Sequence, residues 1–337
     1  MQKPNLTFFS ELPADELEEL LEDQEIIERL QNLEAGISLG ILDLSDKRAE
    51  VIKRLNETGI PVTAWLLLPE EEGYWFNVNN YEQAAARYIS FKAWTTQHKL
   101  QWEAIGLDIE VDINELRSIL EEEKAGSFIK TIWQRYFNKP RVIQAQQAYQ
   151  ALVDLIRADG YLVESYHIPL ISEERRAKST VLQRTAGLVD LETDREVLML
   201  YSSFLRPDGA SVLWSYAPEA DSIGVGSTGG GVDVQGVIDV EPLSWEEFER
   251  DLRLCVMREK PVHVFSLEGC VNQGFLKRLE TFDWKKRTRI PGSVRKVNAF
   301  RTVTSVLLWI LERPWILLIT LAGLTGLGFL FRRRSKN

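Results

Sequence analysis

The chain is poor in the residues that most often announce a chemistry. Two cysteines in 337 residues, Cys255 and Cys270, exclude a disulfide framework and a paired-cysteine metal site. A single bridge between them stays open, but both stand in apolar surroundings, which favours buried thiols. The three histidines, His98, His167 and His263, lie far apart without HxH or HExxH spacing, which argues against a histidine-based metal hydrolase. No GxSxG nucleophile motif occurs, and no glycine-rich phosphate fingerprint follows the first or second strand candidate. No metal or cofactor is therefore expected. Excess positive charge is missing too: the net charge is −10, with acid crowded early at Glu16, Glu18, Glu19, Glu22, Asp23, Glu25 and Glu28. That argues against nucleic acid as a partner of the main domain. The first residues lack the basic start and apolar core of a signal peptide.

What is present is regular. With 45% hydrophobic and 27% charged residues, the chain can bury a large core. Apolar strand candidates recur at Leu6–Phe9, Ile37–Leu44, Ile60–Leu68, Ala104–Val111, Tyr161–Ile168, Glu196–Ser203, Ser222–Ser227 and Val262–Leu267. Between them lie stretches of helical periodicity, at Ala14–Leu33, from about Ala49 to Leu55, Tyr81–His98, Asn114–Asp159, Glu173–Thr185, Ala210–Tyr216, Ser244–Met257 and Phe275–Phe282. Asn114–Asp159 is longer than one barrel helix needs, and is expected to hold two. Eight strands in strict alternation with helices predict an α/β (β/α)8 TIM barrel over residues 1–284, in preference to a doubly wound open sheet.

The C-terminus changes character. A basic linker, 285–302, carries Lys285, Lys286, Arg287, Arg289, Arg295, Lys296 and Arg301, and is expected to lie on anionic lipid headgroups. An apolar segment, 303–331, follows. Its core, Pro314–Phe331, holds 18 apolar, small or Thr residues and stops at Arg332-Arg333-Arg334 in a basic tail, 332–337. That is about the shortest length that spans a bilayer as a helix. A C-terminal transmembrane helix, single-pass, is expected, with Trp309 and Trp315 at an interface. Four basic residues precede the span (Arg295, Lys296, Arg301, Arg313) and four follow (Arg332, Arg333, Arg334, Lys336), so charge does not orient it. The missing signal peptide favours a barrel on the cytoplasmic side of the membrane, which is the expectation.

The fourth strand candidate carries the clearest chemical signal. In Ala104-Ile105-Gly106-Leu107-Asp108-Ile109-Glu110, alternation puts Gly106, Asp108 and Glu110 on one face and Leu107 and Ile109 on the other. In a closed barrel the greasy face meets the outer helices, and the inward face ends in the active-site mouth. Two carboxylates about 7 Å apart along a strand bias each other's ionisation, so that one stays protonated as a general acid. The same strand-end rule adds Asp43, Trp75, Glu164, Tyr166, Tyr201, Ser227 and Glu268. Carboxylates among tyrosines and tryptophans suit a carbohydrate, since aromatic faces stack on sugar rings and paired acids cleave glycosidic bonds. The Glu70–Glu72 run reads as a solvated loop beside a rim formed by Tyr74 and Trp75. The glycine run Gly229–Gly231 reads as a flexible loop or, less readily, an anion cradle.

These residues resemble the chitinase-like family-18 glycoside hydrolases, whose fourth strand ends in DGxDxDxE. Asp108 and Glu110 match the last two acids, and Met199-Leu200-Tyr201 matches that family's Met-x-Tyr on the sixth strand. The resemblance implies a (β/α)8 barrel with Glu110 as proton donor, Asp108 as its partner and Tyr201 touching the reacting sugar. Gly106 stands where the family has an Asp, Glu103 and Ala104 replace its Asp-Gly, and the eighth strand lacks its tryptophan. Glu268 or Glu164 is accordingly the candidate second carboxylate of an ordinary acid and nucleophile pair.

The leading expectation is a membrane-anchored glycoside hydrolase-like barrel that hydrolyses or binds a glycan or glycoconjugate. Its catalytic candidates are Glu110, Asp108, Glu268 and Glu164, and its substrate-binding candidates are Asp43, Trp75, Tyr166 and Tyr201. The lipid bilayer is the expected partner of the C-terminal helix. The alternatives are a non-catalytic barrel that binds a glycan or protein at the membrane and, third, an oxygen-ligated metal phosphodiesterase using Asp43, Asp108, Glu110 and Glu268.

Overall fold

Parallel strands buried on both faces read as near-continuous apolar runs, and eight such runs form the sheet of this chain. The structure, a computed structural model, describes residues 2–114, 125–230 and 241–315. The strands are β1 (Leu6–Ser10), β2 (Gly36–Ile41), β3 (Val62–Leu66), β4 (Ala104–Asp108), β5 (Leu162–His167), β6 (Arg195–Met199), β7 (Ser222–Gly226) and β8 (Val262–Phe265). Each pairs in parallel with the next, and β1 pairs with β8, Leu6 opposite Val262, so the sheet closes into the expected eight-stranded barrel.

The helices are α1 (Ala14–Glu22), α2 (Gln24–Asn32), α3 (Asp46–Glu57), α4 (Tyr81–His98), α5 (Ala125–Tyr136), α6 (Lys139–Ala158), α7 (Ile171–Ala177), α8 (Val181–Ala186), α9 (Gly209–Tyr216), α10 (Trp245–Met257), α11 (Leu267–Asn272), α12 (Phe275–Glu280) and α13 (Val294–Glu312). Two stretches expected as single helices are broken, each for a local reason. Asp23 interrupts Ala14–Leu33 because its carboxylate accepts the Glu25 N–H at 2.9 Å and restarts the chain as an N-cap. Glu173–Thr185 splits at Lys178, whose φ is +48°, and the Glu174 carboxylate caps α8 through the Leu182 and Gln183 N–H groups.

Two cores result. The larger lies between the barrel and its helices; Phe8, Leu39, Leu66, Ile105, Val163, Ile223 and Val264 point into it. Cys255 and Cys270 are buried there as free thiols. The smaller fills the barrel itself, where Phe9, Trp65, Tyr166 and Val197 meet Met199 and Phe265. Phe9 packs edge-on against Tyr166 at 4.9 Å and Trp65 at 5.3 Å, so the interior is a floor of aromatic rings under the mouth.

Part of the C-terminal segment packs on the barrel. The expected boundary at residue 302 falls inside one helix, α13, which lies on the barrel. Arg301, expected near lipid headgroups, is buried: its Nε donates to Glu173 at 2.6 Å, and its guanidinium stacks on Tyr216 at 3.7 Å. At the far end Glu312 accepts from Arg184 at 2.5 Å and from the Thr180 N–H at 3.1 Å. No described helix is long and apolar enough to cross a membrane. The expected core span, from residue 316 onward, lies outside the described residues.

Candidate functional site

The mouth is built around the end of β4. The ladder stops at Asp108, three residues short of the expected strand, because the following segment pairs with a loop instead. The Phe76 N–H donates to the Asp108 carbonyl at 2.9 Å, and the Glu110 N–H to the Phe76 carbonyl at 3.1 Å. That loop is shaped by Gly73, whose φ of +99° is closed to most side chains and where a Cβ would stand 2.9 Å from an Asp112 oxygen. Asn80 then holds the Trp75 carbonyl at 2.9 Å. The pairing sets Trp75 beside Glu110 at the edge of the opening.

Asp108 is buried at 2% exposure. One of its oxygens accepts the Trp65 indole N–H at 3.1 Å, and the other has no partner. Burial, and then the charges of Glu110 and Glu11, push the Asp108 carboxyl well above the usual carboxylate range. Burial likewise raises Glu110 to about 7, although the Asp108 carboxyl beside it works the other way. Neither acid has a cation within ion-pair distance among the described residues, so the pair retains a proton at neutral pH.

A third carboxylate completes the group. Glu11 follows β1 directly and accepts the Tyr74 hydroxyl at 2.6 Å. It carries no motif; the signal available is its place at a strand's C-terminal end, the same rule that selects Asp108. Tyr201 faces all three acids. Burial first, then the charges of Asp108, Glu110 and Glu11, raise its hydroxyl well above the usual tyrosine value.

These groups share one cavity of about 1150 Å³ at the C-terminal end of the barrel. Glu11, Asp108 and Glu110 form its acidic wall with Trp65, Trp75, Tyr166 and Tyr201, and Ser227 also lines it. The opposite wall, formed by the segment after β5, the turn Ser202–Leu205, α9 and α13, is largely apolar, with Arg206 and the Asp208–Lys296 ion pair also lining it.

The other sequence candidates lie elsewhere. Glu164 points into the barrel but one layer lower, opposite Gly106 in register, where Arg195 pairs with it at 2.5 Å and His263 Nε2 lies 3.4 Å away. Although burial opposes it, these two partners hold the Glu164 carboxyl below its usual value. Glu268 sits in α11 and does not line the cavity. Its Oε1 accepts the Glu11 N–H at 3.4 Å, which makes it a support for Glu11. Asp43 pairs with the buried Arg48 at 3.0 Å and accepts the Ser45 N–H, fixing the start of α3. The four acids of the phosphodiesterase alternative are therefore not assembled, and no metal-holding cluster of His, Cys, Asp or Glu exists among the described residues.

Gly106 is explained by Tyr166. A Cβ there would stand 2.3 Å from the Tyr166 hydroxyl, which bonds Ser38 at 2.8 Å and Glu164 at 3.3 Å.

No family model matches the chain, and no curated protein matches it. Solved structures that it resembles include a GH18 chitinase from Pseudoalteromonas aurantia, 11% identical over 82% of this chain and 99% of that one, with a TM-score of 0.45. A xylose isomerase domain protein from Planctomyces limnophilus is 12% identical over 82% and 96%, with a TM-score of 0.42. A mutant tryptophan synthase α-subunit from the hyperthermophile Pyrococcus furiosus is 12% identical over 83% and 98%, with a TM-score of 0.38. Likeness at this level carries no argument about chemistry, which must come from the site itself.

Proposed function

We propose that this barrel is a glycoside hydrolase-like enzyme acting on a glycan or glycoconjugate, with Glu110 as general acid, held to a membrane by the apolar run after α13. The observation that carries the reading is Glu110 itself. Its carboxyl is raised to about 7 beside Asp108, in an open cavity walled by tryptophan and tyrosine. An acid that keeps its proton near neutrality is what cleavage of a glycosidic C–O bond requires of the donor. Trp75 offers a ring face at the rim, Tyr201 a hydroxyl toward the acids, and the unpartnered Asp108 oxygen an acceptor for a sugar hydroxyl or a hydrolytic water. Glu11 joins Asp108 as candidate second carboxylate, replacing Glu164 and Glu268.

The test is turnover of a panel of 4-methylumbelliferyl glycosides by the full chain and by Glu110→Gln. The expected result is a kcat lower by about 10²–10⁴-fold with tryptophan-quench binding retained. Binding with no turnover by either protein would make this a glycan-binding barrel instead.

A further inference from the structure

Helix α13 is inside out. Its barrel-facing side carries Arg301, Ser305 and Glu312 with Val297 and Leu308, while Phe300, Val303, Val306, Leu307, Trp309 and Leu311 stand 40–59% exposed on the other. A helix facing water shows the reverse pattern, and an apolar face of this extent marks a non-aqueous neighbour. The chain names that neighbour. Directly after α13 it enters the apolar run that ends at Phe331 and is closed by Arg332-Arg333-Arg334. Exposed Lys285, Lys286, Arg287 and Arg289 precede the helix, with the sign that anionic headgroups attract.

The same helix is a wall of the cavity. Val297 and Phe300 line it together with Leu170, Leu205 and Val212, opposite the acids. At the rim Phe204 is 43% exposed, Leu205 41% and Phe300 59%, so the apolar half opens on the side where α13 turns its apolar face outward. Arg206 and the Asp208–Lys296 pair also line this half, but a glycan alone would leave Leu170, Leu205, Val212, Val297 and Phe300 without apolar partners.

We infer that the substrate is amphiphilic: a lipid-linked glycan whose polar part meets Glu11, Asp108 and Glu110 and whose hydrocarbon chain, drawn from the bilayer against α13, lies along Leu170, Leu205, Val212, Val297 and Phe300. The identity of the head rests on the function proposed above. The tail site rests on the wall alone.

The experiment uses the full chain in phosphatidylcholine and phosphatidylglycerol nanodiscs, with a dodecyl maltoside bearing a terminal diazirine as probe. After irradiation, adducts are expected on residues 168–170, 204–212 and 296–300. Leu205→Asp combined with Phe300→Asp should lower their yield at least tenfold. Because both side chains are exposed, the fold should survive; the milder Leu205→Ser and Phe300→Ser pair, with unchanged circular dichroism, checks this. Glu110→Gln should leave the labelling intact while abolishing glycoside turnover, which separates the two readings. Adducts confined to residues 303–331, or a yield indifferent to both pairs, would overturn the tail site even where short glycosides are hydrolysed.

Discussion

The barrel holds buried carboxylates at two heights, and they are treated in opposite ways. At the lower level Glu164 has Arg195 at 2.5 Å and His263 at 3.4 Å, and its carboxyl is held below the usual range. At the mouth Asp108 and Glu110 have each other, an indole N–H and no cation among the described residues, and both are held above it. A buried charge that is paired stabilises a fold; one left with a like neighbour changes its protonation and becomes chemically useful. On the proposed reading, the comparison sets a structural acid against a reactive one within a single barrel, without reference to any motif.

The largest expected effect divides the two levels directly. Glu110→Gln should cost about 10²–10⁴-fold in kcat, and the wild-type rate should fall as pH rises past about 7, where the acid loses its proton. Glu164→Gln should leave kcat within a few-fold, because that side chain does not line the cavity. Parallel steady-state assays of the two variants decide it. Equal losses would dissolve the distinction between the levels.

How far the sequence reaches follows from the same two levels. Strand alternation puts Glu164 and Tyr166 on one face but does not tell height, and so it places Glu164 at the mouth with Tyr166, although only Tyr166 lines the cavity. Register, which sets Glu164 opposite Gly106 and Tyr166 opposite Asp108, is a property of the closed sheet. Asp108 and Glu110 are legible because they end an apolar strand. Glu11 belongs to the site by position alone. Glu268 is misread because Ser266 caps α11 and turns the chain away at the end of β8. The docking of α13 depends on Arg301 meeting Glu173, 128 residues earlier, and no local pattern announces such a pair.

Breaking the lower level should register as stability. Arg195→Ala leaves the Glu164 carboxylate buried with His263 and the Tyr166 hydroxyl beside it. The cost is roughly 2–3 kcal/mol, below the full figure for a buried pair because Arg195 is itself 43% exposed. Thermal unfolding at pH 7 should show a fall of several degrees. Since the Glu164 carboxyl is depressed in the fold, its pairing stabilises at pH values above the unfolded value and is lost as pH falls through the folded one. The deficit of Arg195→Ala should therefore shrink toward pH 3.

Gly106→Ala tests the space between the levels. Its methyl would press on the Tyr166 hydroxyl and force the ring off Ser38 and Glu164, costing about 1–3 kcal/mol by overpacking. The double variant with Tyr166→Phe should recover part of that loss in the same unfolding assay, because the phenol oxygen is the atom in the way.

The smallest effect is the one that runs against intuition. Glu110 has a folded value of about 7 against an ordinary 4.5, so between these values the folded state holds a proton that the unfolded state has released. By linkage, stability declines as pH rises through this window, and above pH 7 the protein bears the whole cost of an ionised buried acid. Glu110→Gln removes that cost along with the proton of the proposed general acid. Its melting temperature should exceed the wild-type value by about 2–4 °C at pH 8 and match it at pH 5. A Glu110→Gln protein no more stable than wild type at pH 8 would mean that the mouth acids are partnered after all, and the contrast between the two levels of the barrel would fail where it matters most.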